Sequence, residues 1–311
     1  MGECFRERLP VKLIKTNYLQ TDHQITISEA QKILLTSLQS IYDQREATVI
    51  AELIMENITG WKKIDQIVNK TTVLSAGKNK LLKKYTKELL AHRPVQYVIN
   101  EAWFYGMKFF VNEDVLIPRP ETEELVKWII DENRFRKPGP LLLLDIGTGS
   151  GCIPVALKKN LPQIETYSCD ASQAAIQVAS QNALSNRADV HFLHLDFLNS
   201  SKRKSLPAPD IIVSNPPYIP LQDKTEMSPH VVSYEPHLAL FVSDSDPFIF
   251  YRAIADFASE KLNDNGKIFT ELPADSARDI SLVFRSYGFE FIEIRKDIQG
   301  KDRMLKATRL P

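Results

Sequence analysis

Residues Asp210-Ile211-Ile212-Val213-Ser214-Asn215-Pro216-Pro217-Tyr218 read as an apolar, β-branched strand running into a stiff polar elbow. Asn215 precedes a proline, so its backbone is held extended and its side chain can be aimed with little freedom. Pro216 and Pro217 lack N–H groups and offer carbonyl acceptors without a competing donor. An amide oxygen beside a bare carbonyl makes a socket for an NH2 group with two hydrogens to give. Tyr218 adds an aromatic face for a planar or cationic group. Adenine, guanine and a glutamine side chain all carry such an NH2 group. The plainer alternative is a strand ending in a proline-rich turn, the commoner fate of such a dipeptide.

A second cluster follows the apolar run Leu141 to Ile146. In Gly147-Thr148-Gly149-Ser150-Gly151 the glycines allow a ligand close to the backbone, and the helix that follows has free N–H groups at its start. A tight turn is the plain alternative, since a lone glycine run is weak evidence. Asp170 ends the next strand, where an acid holds ribose hydroxyls. Asp196-Phe197 ends the third, where the pair would bracket an adenine, one by hydrogen bond and one by stacking. A dinucleotide and S-adenosylmethionine both fit these residues. The elbow separates them, because a nicotinamide enzyme has no use for an NH2 socket. No metal site is expected. His191 and His194 lie three apart in a strand and face opposite sides, and His230 and His237 have no acid or thiol at ligand spacing.

These residues need a scaffold, and the chain is long enough for one. Its 311 residues suit a domain of about 200 plus a smaller one. A net charge of zero gives no pull toward nucleic acid or anionic membrane, and no apolar run approaches spanning length. Cys4, Cys152 and Cys169 are odd in number and unpatterned, as in a reduced cytosolic chain, and Cys152 and Cys169 suit small buried positions. Residues 1 to 25 show no period. Helices are expected over 28–41, with Ser28 and Gln31 as a capping box, over 45–57, around Ile64 and Ile67, and over 81–90. Lys78, Lys80, Lys83, Lys84 and Lys87 mark the last as basic. A solvated face is favoured over a docking face there. Strand-like residues Tyr97-Val98-Ile99, then Trp103-Phe104-Tyr105 and Met107 to Val111 around Gly106, suggest a β-hairpin joining two domains. From there strands and helices alternate, as in a parallel α/β sheet. Strands are expected over 141–146, 166–170, 190–195, 211–214, 267–272, 290–294 and 304–308, with a long loop over 219–246.

The chain resembles the HemK/PrmC family from about residue 26 onward. The likeness is carried by Arg93-Pro94-Val95-Gln96-Tyr97, Ile117-Pro118-Arg119-Pro120-Glu121-Thr122-Glu123, the glycine loop, Asn215 to Tyr218, Tyr234-Glu235-Pro236 with Ala239-Leu240, and Asp297-x-x-Gly300-x-x-Arg303. It implies a Rossmann-like class I S-adenosylmethionine-dependent methyltransferase with a mostly parallel seven-stranded sheet. It divides the chain into a tail (1–25), a helical substrate-recognition domain (26–93), a hairpin linker (94–115) and a methyltransferase domain (116–311). The implied reaction is methylation of the side-chain nitrogen of the glutamine in the Gly-Gly-Gln motif of class 1 peptide-chain release factors. Gly147, Thr148, Gly149, Ser150, Gly151, Asp170, Asp196, Phe197 and Asn215 would contact the cofactor, with Glu121 and Thr122 (and Glu123) at its cationic end. Capping the following helix is the alternative role of those three. Asn215, Pro216, Pro217 and Tyr218 would hold the substrate. Two departures stand out. Phe197 occupies a position where Trp is frequent, and Glu271-Leu272-Pro273-Ala274 replaces Glu-x-Gly followed by Gln. A cytoplasmic monomer is expected, with neither duplex DNA nor membrane as partner, in keeping with the unpatterned cysteines, the zero net charge and the lack of a long apolar run. A ribosomal-protein glutamine, or a flipped base in a nucleic acid, would be the competing substrates, and a non-catalytic binding protein the competing class.

Overall fold

The computed structural model describes residues 24–134 and 141–309, so Cys4 and most of the expected tail lie outside the described residues. The chain falls into two compact units that divide between Ile99 and Asn100.

The first unit is helical: α1 (Ile27–Leu38), α2 (Gln44–Thr59), α3 (Lys63–Val68), α4 (Ala76–Leu90) and α5 (Val95–Ile99). Leu34, Leu38, Ile54, Leu82 and Leu89 are fully closed to solvent in its core. The expected capping box at Ser28 is displaced by two residues, to Thr26 and Glu29. A bridge between Thr26 and Val73 holds Thr26 extended, and the Ser28 N–H is already given to the Lys70 carbonyl. Gly60 ends α2 at φ 75°, a left-handed turn that glycine adopts without strain. Tyr97-Val98-Ile99, expected as strand, is helix. The Pro94 carbonyl takes the N–H groups of Tyr97 and Val98 at 3.0 Å each, starting a turn that buries both side chains. Lys78, Lys80, Lys84 and Lys87 on α4 are exposed, and Lys84 faces Glu88 at 3.7 Å.

The second unit opens with a hairpin, β1 (Ala102–Phe104) and β2 (Met107–Phe109), turned at Tyr105-Gly106. Helix α6 (Pro120–Asn133) follows. The seven-stranded sheet comprises β3 (Leu141–Ile146), β4 (Ile164–Asp170), β5 (His191–His194), β6 (Ile211–Ser214), β9 (Lys267–Glu271), β10 (Phe291–Lys296) and β11 (Asp302–Thr308). Its order is β10-β11-β9-β6-β3-β4-β5, and only β11 runs against the others. Along β3, Leu141 and Leu143 join one core cluster while Leu144 and Ile146 join the other, and on β9 Phe269 and Ile268 divide the same way. Both faces of the sheet are therefore buried, which is why 141–146 is apolar without alternation. The helices against it include α7 (Cys152–Asn160), α8 (Gln173–Ser185), the short α9 (Ser200–Arg203), α12 (Ile249–Lys261) and α13 (Ala277–Ser286). The sequence reading did not mark α9 or α13.

Residues 219–246, expected as a long loop, are ordered. They hold a parallel pair, β7 (Ile219–Pro220) with β8 (Phe241–Val242), a 3-10 turn (Leu221–Glu226), α10 (Pro229–Tyr234) and α11 (His237–Leu240). A buried carboxylate anchors the segment: Glu235 accepts from the Arg119 guanidinium at 2.5 Å and the Ile117 N–H at 3.3 Å. The sheet order reverses at β3, between β4 and β6. In open α/β sheets the crevice at such a switch point, beyond the carboxyl ends of the strands, takes the ligand.

Candidate active site

At the carboxyl end of β3 the backbone of Gly147 and Thr148 is pinned by the Cys169 carbonyl at 2.9 and 3.2 Å. Gly147, Gly149 and Gly151 have φ of 80°, 52° and 79°, a region costly to residues with a Cβ. At Gly151 a Cβ would also meet the Cβ and Cα of Ala179 at 3.0 and 3.1 Å, so the loop lies tight on α8. Asp170 accepts from the Gly149 N–H at 2.9 Å and the Ser172 N–H at 2.8 Å, which braces the loop against β4. Burial raises its pKa. Behind the loop, Asp145 takes the Ser168 hydroxyl at 2.6 Å, and burial pushes its carboxyl up to about 7. Asp145 Oδ1 and Thr148 Oγ1 are buried without a partner in hydrogen-bonding geometry. A glycine cradle and a bracing acid at the strand ends fit a polar ligand such as S-adenosylmethionine.

The third strand's end differs from expectation. Asp196 is exposed and accepts from the Leu198 N–H at 3.0 Å. Phe197 is only 4% exposed, edge-on to Phe257 at 5.5 Å with the Arg203 guanidinium 5.5 Å from its ring centre. Its ring is core, so a stacking face for adenine is not presented there.

The elbow sits on the neighbouring strand end. The register pairs Ser214 with Ile146 on one side and Thr270 on the other, which sets Asn215 beside both Gly147 and Glu271. Asn215 Nδ2 donates to Thr122 Oγ1 at 3.1 Å, and Thr122 Oγ1 donates to Glu271 Oε2 at 2.7 Å. The Tyr218 hydroxyl donates to Glu271 Oε1 at 3.4 Å, and the Tyr251 hydroxyl to the Glu271 carbonyl at 3.0 Å. Burial pushes the Glu271 carboxyl up to about 7, while the Thr122 hydroxyl and the Arg303 charge pull it down and Glu121 pushes it further up. Arg303 is itself steered by Asp297, which caps the β10–β11 turn through the N–H groups of Gln299 and Lys301 and takes Arg303 Nε at 3.2 Å. Burial and the nearby Glu271 charge push Tyr218 up to about 12, so it stays a donor at neutral pH.

With Nδ2 engaged, the amide oxygen of Asn215 is the atom left over. Among the described residues neither Asn215 Oδ1 nor the Pro216 carbonyl accepts a hydrogen bond. Both residues line a cleft of about 140 Å³, together with Arg119, Tyr218 and Glu271. Leu116, Ile219, Met227, Val231 and Leu240 form its apolar walls. Two free acceptors on residues lining a largely apolar cleft suit an amide NH2 on an aliphatic stem.

The sequence reading missed Glu271 as a site residue and found only an unusual neighbourhood there. Its partner Thr122 is 149 positions away, and no local pattern links them. Thr122 is 2% exposed and held between Asn215 and Glu271, and Glu123 takes the Tyr105 N–H of the hairpin turn at 2.9 Å. Glu121 and Glu123 do occupy the first turn of α6, where negative charge is favoured. Pro217 follows at the rim of the elbow, half-buried. Among the described residues no group of three or more His, Cys, Asp or Glu side chains could hold a metal ion.

Residues 133–233 match the methyltransferase small domain, and residues 23–99 match the PrmC N-terminal domain. A release factor glutamine methyltransferase of Flavobacterium psychrophilum is 39% identical over 273 residues, 88% of this chain and 95% of that relative. One of Bacteroides thetaiotaomicron is 40% identical over 273 residues, 88% of this chain and 96% of that relative. A solved protein-(glutamine-N5) methyltransferase, described as release factor-specific, from Alicyclobacillus acidocaldarius is 29% identical, with a TM-score of 0.40, covering 65% of this chain and 100% of that one. The fold is that of a methyltransferase. The chain belongs to the release factor glutamine methyltransferase family.

Proposed function

We propose that this protein transfers a methyl group from S-adenosylmethionine to the side-chain amide nitrogen (N5) of the glutamine in the Gly-Gly-Gln motif of class 1 peptide-chain release factors, acting in the cytoplasm as a monomer. The observation that carries the reading is the pair of unengaged acceptors, Asn215 Oδ1 and the Pro216 carbonyl, on the strand end beside the glycine loop.

An amide nitrogen is a weak nucleophile because its lone pair is delocalised into the carbonyl. Asn215 and Pro216 accept both of its hydrogens, which fixes the nitrogen and raises its electron density. The apolar walls around Leu116, Met227 and Leu240 exclude water from the aliphatic stem. When bound, S-adenosylmethionine supplies an activated sulfonium methyl, whose C–S bond breaks with the electron pair left on sulfur as the N–C bond forms. The surplus proton on the methylated nitrogen is then acidic and passes to water from the acceptor that held it. Alignment and fixed dipoles therefore supply the barrier reduction, and no strong base is needed before attack. The same pair of acceptors rejects a glutamate, which has no hydrogens to give and repels both oxygens.

The test is transfer of labelled methyl from S-adenosylmethionine to a release factor and to its Gln→Glu variant. Label on the first and not on the second is expected. Label on RNA or DNA, or on neither protein, overturns the substrate.

A further inference from the structure

We propose that Thr122 and Glu271 are positioning residues for methyl transfer, their hydrogen-bond chain holding the Asn215 amide in the one orientation that turns its oxygen to the substrate. The proposal rests on the function given above for Asn215, and it concerns what makes that residue an acceptor at all. An asparagine amide is nearly symmetric in shape, so a half-turn of the side chain would place NH2 where the oxygen should be. A donor would then face the substrate's own NH2, and the socket would repel what it is meant to hold.

The chain from Asn215 admits a single direction. Thr122 has one hydroxyl hydrogen, and it lies on Glu271 Oε2 at 2.7 Å. An ionised carboxylate only accepts. Thr122 Oγ1 can therefore offer Asn215 nothing but a lone pair, and at 3.1 Å it takes an N–H. A flipped amide would set oxygen against oxygen at that distance. Thr122 and Glu271 are 2% and 3% exposed, so little water reaches either while the chain is intact. An unmet polar contact of this kind is costly in a buried site.

The direction depends on the charge of Glu271. Protonated, the carboxyl has a hydrogen of its own to give to Thr122, which frees the Thr122 hydrogen for Asn215 Oδ1 and reverses the chain. The groups that bear on this carboxyl are Arg303, held by Asp297, together with Glu121 and the hydroxyl of Tyr218; Tyr251 binds its backbone carbonyl, and Arg119 bears on Tyr218. Since burial pushes Glu271 up to about 7, the reversal falls in the neutral range.

The experiment compares the wild type with Thr122→Val, Thr122→Ser and Glu271→Gln in the full chain. Thr122→Val should lower kcat/KM about 10²-fold while the affinity for S-adenosylhomocysteine changes less than about threefold. Thr122→Ser, which keeps the hydroxyl, should restore most of the rate. Wild-type kcat should rise with pH through about 7, and the rise should be absent in Thr122→Val and Glu271→Gln. A substrate-independent reading comes from the side-chain amide NMR signals of Asn215, assigned by their loss in Asn215→Ala. Their hydrogens should exchange slowly with solvent in the wild type and fast in Thr122→Val. A wild type that leaves release factors unlabelled would overturn the substrate, while the amide exchange would still decide the chain. The proposal is overturned if Thr122→Val keeps its rate, if Thr122→Ser is no better than Thr122→Val, if the Glu271→Gln profile matches the wild type, or if the Asn215 amide exchanges equally in both.

Discussion

Strand β9 carries a carboxylate partner at each end, and the two ends are built to opposite purposes. At its amino end Lys267 reaches Glu132 of α6 at 2.6 Å, joined there by Lys306 of β11 at 2.6 Å and the Trp128 indole at 2.9 Å. Burial alone would push Glu132 up, yet these donors hold it down to about 2. At its carboxyl end Glu271 has a hydroxyl at each oxygen and a cation, Arg303, that is shared with Asp297. There burial prevails, and the acid sits at about 7. A fully paired carboxylate fastens α6 to the sheet. An under-compensated one is left near neutrality by burial, beside the cleft that Asn215 and Pro216 line. The same strand thus serves stability where the cations are complete and function where they are not, as expected of a sheet whose ligands gather at the carboxyl ends.

The largest effect expected is on the functional end. Asn215→Ala should lower methyl transfer by about 10³-fold or more, while calorimetry shows cofactor affinity within a modest factor of the wild type. Unchanged turnover would remove the elbow from the mechanism.

The two carboxylates should then separate by the sign of their effect on stability. Glu132 titrates lower in the folded protein than in the unfolded chain, so its stabilisation is present above about pH 4.5 and is lost as pH falls toward about 2. Glu132→Gln should cost about 1–3 kcal/mol in urea unfolding at pH 7, and less at pH 3. Glu271 titrates higher in the folded protein, so its ionisation costs stability as pH rises from about 4.5 through about 7. Glu271→Gln should therefore raise stability at pH 8 by about 1 kcal/mol while losing activity. Effects of one sign at both sites would dissolve the contrast between the ends.

The smallest effect belongs to the rim of the stabilising end, where the Arg295 guanidinium lies 4.0 Å from the Trp128 ring centre. Arg295→Gln should cost about 0.5 kcal/mol of stability and leave kcat and KM unchanged.

The contrast also marks what a linear reading could and could not find. The apolar run 141–146, the glycine loop and the Asn215 elbow are contiguous, and each announces itself by local chemistry. The strand end at Phe197 did not, because its aromatic ring suits a stacking platform and a core residue equally well, and only the neighbours Phe257 and Arg203 decide. Tyr97-Val98-Ile99 is as β-prone as any strand in the chain, yet the Pro94 carbonyl takes the N–H groups of Tyr97 and Val98 into a helical turn that leaves both side chains buried. Residues 219–246 lack a hydrophobic period, and their order comes from Glu235 binding Arg119, a contact across 116 positions.

By itself, then, the sequence determined the alternation of strand and helix, the glycine loop and the Asn-Pro-Pro elbow, since apolar runs, glycines and prolines act through their immediate neighbours. Only the tertiary structure decided what the amide of that elbow touches. The orientation of Asn215 is set by Thr122 and Glu271, which share a hydrogen bond because α6 and β9 meet in space. Their effect arises from burial, which neither residue carries in its own chemistry.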